Sequence, residues 1–180
     1  LYALINQANV VLQGLEGVTP SPSLTQVSID AYKGEMLFLR ALAHHELLKH
    51  FARPYSDNPT AATGGVVYRT TAVTDGPSAD AAAQLGRTSV QACYDLLLAD
   101  LNQAETLLPE TRTGSLKITR ATKAAAVAIK TRVYLHMGRW ADVVTEGNKL
   151  AAGSAAPFAP ATGYGSYALT PTPIGPFTAA

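Results

Sequence analysis

Six apolar residues between Val90 and Leu108 do most to fix what this chain can fold into. Val90, Tyr94, Leu97, Leu101, Ala104 and Leu108 follow one another at alternating steps of four and three. That spacing draws a single seam down an α-helix, whereas a strand would repeat every two residues. A seam this narrow is stable only against another helix. Thr88-Ser89-Val90-Gln91 offers a capping box at its start, and Pro109 cannot continue it.

The helical period recurs on both sides. Leu1, Leu4, Ile5, Ala8, Val11, Leu12 and Leu15 form one face of a first helix, and GVTPSPS at 17–23 breaks it. Ser23-Leu24-Thr25-Gln26 is a capping box for a second helix running to about Phe51, with Gly34 as a weak point near its middle. Its expected buried stripe is Ile29, Tyr32, Met36, Leu39, Ala43, Leu47 and Phe51, widened by Leu37, Leu42 and Leu48. A stripe so wide predicts more than one neighbour. A further helix starts near Thr119 or Thr122, stops at Gly138, and is followed from Arg139-Trp140 by a last one ending near Gly153.

Two segments do not fit this period. Residues 52–87 are rich in Gly, Pro, Ala, Ser and Thr, and far exceed the roughly 2–8 residues of ordinary helix connections. They are either disordered or a structured excursion, and β-like content at 66–73 favours partial order. Residues 152–180, with Tyr164, Tyr167 and five prolines, read as an irregular tail. The expected fold is all-α, one helical domain over 1–180 built of helix hairpins. The chain opens inside a helical pattern and ends without a closing element, so it is read as an excerpt of a longer protein.

Composition removes several function classes. With 47% apolar residues and a formal charge of +1 from scattered Lys and Arg, the chain has a core but no electrostatic footprint for nucleic acid. No apolar run approaches the ~20 residues that cross a bilayer. Cys93 is the single cysteine, which excludes an internal disulfide and a cysteine-based metal cluster. Ser89 to Cys93 faintly resembles a lipid-attachment motif, but no charged-then-apolar leader precedes it. Cys93 is read as a small residue packed on the helix seam.

The stretch His44-His45-Glu46-Leu47-Leu48-Lys49-His50 is a near miss for a zinc protease. Zinc-binding histidines of that signature lie four residues apart, a turn of about 40°, while His45 and His50 are five apart, about 140°. Lys49 holds the position a ligand needs, and His136 has no patterned relation to either. No metal site, cofactor or catalytic residue is expected. There is no serine-nucleophile elbow or phosphate-binding glycine loop. Glu35, Arg40 and Arg132 are read as ties between elements, and Asp95 and Asp100 as solvent-facing.

The last two helices resemble a tetratricopeptide repeat, since Tyr134, Gly138 and Trp140 have the spacing of its tyrosine, turn glycine and following aromatic. Thr131, Val143 and Gly147 depart from its pattern, so a hairpin is expected rather than a regular array. Trp140 is read as packing between repeat helices. Four stretches in order carry a more specific likeness: YALINQAN from Tyr2, KGEMLFLRALAHHELLKHFARPYSDNP from Lys33, YDLLLADLNQAETLLP from Tyr94, and RATKAAAVAIKTRVYLHMGRWADVV from Arg120. Together they resemble the SusD/RagB family of outer-membrane nutrient-binding lipoproteins, in its N-terminal helical part.

The resemblance implies a non-catalytic, lipid-anchored protein exposed on the cell outer membrane. It would hold oligosaccharide or peptide for a TonB-dependent SusC-like transporter, with the lipid anchor outside this excerpt. The alternative is a helical scaffold that docks on the transporter, with ligand recognition in the missing C-terminal half. Candidate ligand contacts are Tyr55 and Tyr68, aromatics in an irregular segment that pair a flat apolar face with a hydroxyl. Arg53, Asp57 and Asn58 beside Tyr55 would supply hydrogen bonds, while Tyr164 and Tyr167 share the same logic.

Overall fold

The computed structural model describes residues 1–150, and over these the chain is all-α. Its helices are α1 (Tyr2–Gly14), α2 (Gln26–Phe51), α3 (Gly76–Ala83), α4 (Val90–Leu107), α5 (Leu116–Thr119), α6 (Lys123–His136) and α7 (Trp140–Leu150). The tail, with Tyr164 and Tyr167, lies outside the described residues.

The starts are set by hydroxyl caps. Thr25 accepts from the Ser28 amide, Ser89 from Ala92 and Thr122 from Ala125, each satisfying an amide that the helix leaves unpaired. Two caps fall inside the expected boxes rather than at their first residue: Thr25 replaces Ser23, and Ser89 replaces Thr88. Among the described residues a reciprocal capping box opens α3, where Asp75 and Ser78 bond each other's backbone. That helix lies in the 52–87 connection and was not expected. Gly138, at φ +70°, makes the left-handed stop between α6 and α7 that the sequence indicates.

Each long helix packs on the next in the order α1, α2, α4, α6, α7. α2 and α4 run antiparallel: Gly34 of α2 abuts Leu108, Arg40 pairs with Asp100, and His45 edges onto Tyr94. The expected seam of α4 is the axis of the core, since Val90, Tyr94, Leu97, Leu101, Ala104 and Leu108 are all buried. On α2 the expected stripe is wrong at two places. Tyr32 and Phe51 are exposed, while Ala41, His44 and His45, outside the stripe, are buried. The helix is covered on several sides by α1, α4 and α6, so no single 3.6-period stripe describes it.

Gly34 is a point of close approach rather than a weak point. A Cβ there would lie 3.0 Å from Leu108 Cγ and 3.1 Å from Leu108 N, so glycine lets the end of α4 approach the α2 backbone. The 52–87 connection is a structured excursion. Arg53 N donates to Gly64 O (2.9 Å), Gly65 N to Thr88 O (2.8 Å) and Gln91 N to Pro59 O (2.8 Å), folding the first half against the start of α4. Residues 66–73 then cross α1 and α2, and α3 follows them.

Candidate functional site

Residues 66–73 have the β-propensity of a strand and no strand to pair with. Their polar backbone groups still need partners, and helix side chains supply them. Tyr2, Asn6 and Asn9 stand at steps of four and three on α1 and make a polar stripe beneath the segment. Tyr2 Oη donates to Val67 O (2.9 Å). Asn6 both donates to Val73 O (2.9 Å) and accepts from Val73 N (2.7 Å). Asn9 Nδ2 donates to Arg69 O (3.3 Å) and Thr71 O (3.0 Å).

Beneath this segment lies a buried charge pair. Arg40 of α2 grips Asp100 of α4 through two bonds, Nε to Oδ2 (2.8 Å) and Nη2 to Oδ1 (2.6 Å). Its remaining nitrogen donates to Asn9 Oδ1 (2.9 Å) and Thr70 O (3.3 Å). Tyr68 Oη donates to the same Asp100 Oδ2 (3.0 Å). Burial acts to lower the Arg40 pKa, but its bonds to Asp100 outweigh that and hold it above its ordinary value. Burial, reinforced by the Asp100 charge, pushes the Tyr68 hydroxyl far up, so it remains a donor. Asp100 is therefore not solvent-facing, as its sequence context suggests, because the turn of α4 that carries it faces α2.

His44 completes this wall. Its ring stacks on Tyr68, centroids 3.7 Å apart and planes at 11°. The Arg69 amide donates to His44 Nε2 (3.1 Å), so that nitrogen carries no proton, and Nδ1–H donates to Arg40 O (2.9 Å). Burial pushes the His44 pKa down to about 4.

Where α1, α2 and residues 70–72 diverge they leave an open cleft of about 450 Å³. Asn9 and Gln13 of α1, Glu16 just beyond its end, Lys33 and Arg40 of α2, Thr70, Thr71 and Gln103 give it a mostly polar lining, with Leu12 and Leu37 as apolar floor. Amides, hydroxyls and a few charges converging on an apolar floor suit a polyhydroxylated ligand better than an apolar one.

The five residues singled out from sequence do not form one site. Tyr68 is enclosed, with one face on His44 and its hydroxyl bonded to Asp100, and it presents no ring to a ligand. Arg53, Tyr55, Asp57 and Asn58 lie together beyond the far end of α2. Arg53 Nη1 faces Asp57 Oδ2 at 3.4 Å, Asn58 Oδ1 accepts from Thr60, and Tyr55 sits edge-on to Tyr94 at 5.3 Å. At ~1.5 Å per residue, Leu37 and Phe51 are about 20 Å apart along α2, so this group and the cleft are separate places. Trp140 is 64% exposed and does not pack between repeat helices among the described residues. Cys93 is fully buried, with Sγ against Thr88 Oγ1 (3.1 Å) and the Val66 backbone.

The remaining polar clusters are ties between helices. Glu35 receives Arg112 (2.6 Å) and Arg120 (2.6 Å), joining α2 to the connection before α6. Buried Lys130 of α6 bonds Glu105 and Asn102 of α4 and Glu146 of α7. His45 Nε2 lies 3.2 Å from His136 Nδ1, while His50 is exposed beside Glu46. Among the described residues, no three His, Cys, Asp or Glu side chains are grouped to hold a metal.

Three comparisons complete the description. A SusD-like family model, described as starch-binding and associating with the outer membrane, matches residues 1–135. Solved structures show the same fold. A SusD-like carbohydrate-binding protein from Bacteroides vulgatus superposes with a TM-score of 0.69 at 24% identity, over 84% of this chain and 29% of its own. A SusD-like protein from Bacteroides fragilis gives 0.59 at 29% identity, over 81% of this chain and 24% of its own. A laminarin-binding SusD-like protein gives 0.64 at 21% identity, over 82% and 28%. This chain thus spans under a third of each. No curated protein matches the sequence.

Proposed function

Since the chain belongs to the SusD-like family, we propose that it is part of a non-catalytic, cell-surface binder of oligosaccharide. The whole protein, held to the outer membrane by a lipid anchor outside this chain, delivers its ligand to a TonB-dependent SusC-like transporter. The observation that carries the reading is the polar cleft of about 450 Å³ between α1, α2 and residues 70–72. Its free amides on Gln13 and Gln103 and its threonine hydroxyls match the dense donor and acceptor pattern of a sugar ring. One or two rings fit the volume. The exposed group Arg53, Tyr55, Asp57 and Asn58 is a second, weaker place for sugar contact.

Calorimetric titration of the full-length protein with starch and laminarin oligosaccharides tests this. Saturable binding, weakened about tenfold or more (~1.4 kcal/mol) by Gln103→Ala with Thr71→Val, is the expected result, with no shortened oligosaccharide released. Binding indifferent to those substitutions would remove the cleft from the reading. Turnover would remove the non-catalytic assignment.

A second reading is favoured by a different observation. Trp140 and Val144 lie one helical turn apart on α7 and are 64% and 61% exposed. On this reading the helices chiefly dock on the transporter, and ligand recognition lies elsewhere in the protein. Loss of co-purification with the transporter on Trp140→Ser with Val144→Ser, glycan affinity being unchanged, would favour it.

A further inference from the structure

We propose that His44 is an acid-sensitive latch on the wall of the cleft, which holds residues 67–73 against α2 when neutral and lets them go when protonated. The geometry allows only one protonation state. Nε2 accepts the Arg69 amide and Nδ1–H donates to the Arg40 carbonyl, so both nitrogens are committed. A proton added at Nε2 faces an N–H that cannot accept it, and the Arg69 amide is left without its acceptor.

The charges around the ring do not offset burial: the Asp100 carboxylate favours the proton, the Arg40 guanidinium opposes it, and burial outweighs both. Arg40 of α2 lies against the His44 ring, and Arg69 of the connection carries its charge nearby, over the Tyr2 ring of α1 at 5.0 Å. Asp100 of α4 is the one carboxylate near the ring, and it is already shared by Arg40 and the Tyr68 hydroxyl. The imidazolium therefore gains no new partner, and its release to water requires the Tyr68–Arg69 turn to lift from α2. Thr70, Thr71 and Ala72, which line the cleft, follow that turn directly.

The direction of the effect follows from the proton balance. In the lifted state His44 returns to an ordinary pKa near 6.5 and binds protons that the closed state, titrating at about 4, does not. The latch is intact above pH ~6.5 and weakens progressively as the pH falls from there to about 4. Between pH 7.5 and pH 5 the equilibrium constant for lifting should rise about 30-fold. That the lifted wall belongs to a glycan site rests on the function proposed above. The latch itself does not, and it can be read without any ligand.

Hydrogen exchange by mass spectrometry on the full-length protein, corrected for intrinsic exchange at each pH, measures the lifting. Peptides covering 66–73 should lose protection about 30-fold on going to pH 5, while those of α4 hold. His44→Gln, which keeps an acceptor for the Arg69 amide and does not titrate, should abolish that pH dependence, and His136→Gln should leave it in place. Unchanged protection in the unsubstituted protein, or the same loss in His44→Gln, overturns the latch. If His44→Gln is already unprotected at pH 7.5, His44→Asn and the His136→Gln profile decide. A pH dependence lost with His136→Gln instead assigns the effect to the His45–His136 pair and also overturns the proposal. Oligosaccharide affinity that stays constant while 66–73 lifts would refute the cleft reading and leave the latch standing.

Discussion

Asp100→Asn is the sharpest test of how the helices and the 66–73 segment are held together. The substitution keeps shape and volume and removes one charge. Asp100 accepts two guanidinium bonds, at 2.8 and 2.6 Å, and a phenol at 3.0 Å, and the two charged side chains are only 10% and 9% exposed. An asparagine offers one acceptor oxygen, and its NH2 must face either the guanidinium or the Tyr68 hydroxyl. Each charge-assisted bond is worth about 1.5–3 kcal/mol. Arg40 is left as a buried cation without a counter-charge, and breaking such a pair costs about 3–5 kcal/mol. The two routes meet at about 3 kcal/mol, which sets the expectation.

Urea unfolding of the full-length protein gives the magnitude, and a double-mutant cycle with Arg40→Met gives the coupling. The double variant should be much less unstable than the sum of the singles, because neither charge is then stranded. A cost below about 1 kcal/mol for Asp100→Asn, or additivity within about 0.5 kcal/mol, would refute the reasoning. It would mean that water reaches the pair.

Three further outcomes follow from other contacts. Gly65→Ala places a Cβ 2.7 Å from Cys93 Sγ and Ser89 O and 2.8 Å from Thr88 O; two of these are backbone, so the loop must shift, at a cost of about 1–3 kcal/mol in the same unfolding assay, and a neutral result would disprove the close approach. Lys130→Met removes the buried cation that Glu105 and Glu146 share, and should cost several times as much as Lys149→Met, whose side chain is 29% exposed against 3% for Lys130; equal costs would contradict that ranking. Glu35→Gln should loosen the connection between α4 and α6, measured as raised hydrogen exchange over 109–122, because Arg112 and Arg120 both lose their charged partner; unchanged exchange there would show that other contacts hold the connection.

Much of the scaffold was legible before any coordinates. The alternating three-and-four seam of α4 is buried at every position named, since a period is a local property of the chain and survives any tertiary arrangement. The α6–α7 stop at Gly138 was equally readable, because only glycine takes the left-handed φ without penalty. The motif stretches YALINQAN, GEMLFLRALAHH and YDLLLADLNQ marked where to look. Asn6, Asn9, His44 and Asp100 lie inside them without a pattern that distinguishes a buried bond from a surface one.

What only the tertiary structure decided is which polar groups meet. Asp100 lies next to Leu101 in sequence, and nothing local says that Arg40, sixty residues earlier, will face it. Loop context points to Tyr68 as a ligand contact, and packing turns its ring onto His44. Residues 66–73 read as a strand from propensity alone. They became the wall of a cleft because the backbone's need for partners was met by side chains of α1 and α2. Sequence determined the long helices, through their period and, in α2, α4 and α6, their hydroxyl caps. The pairing of distant charges, and the cleft that results, required the helices to be assembled first.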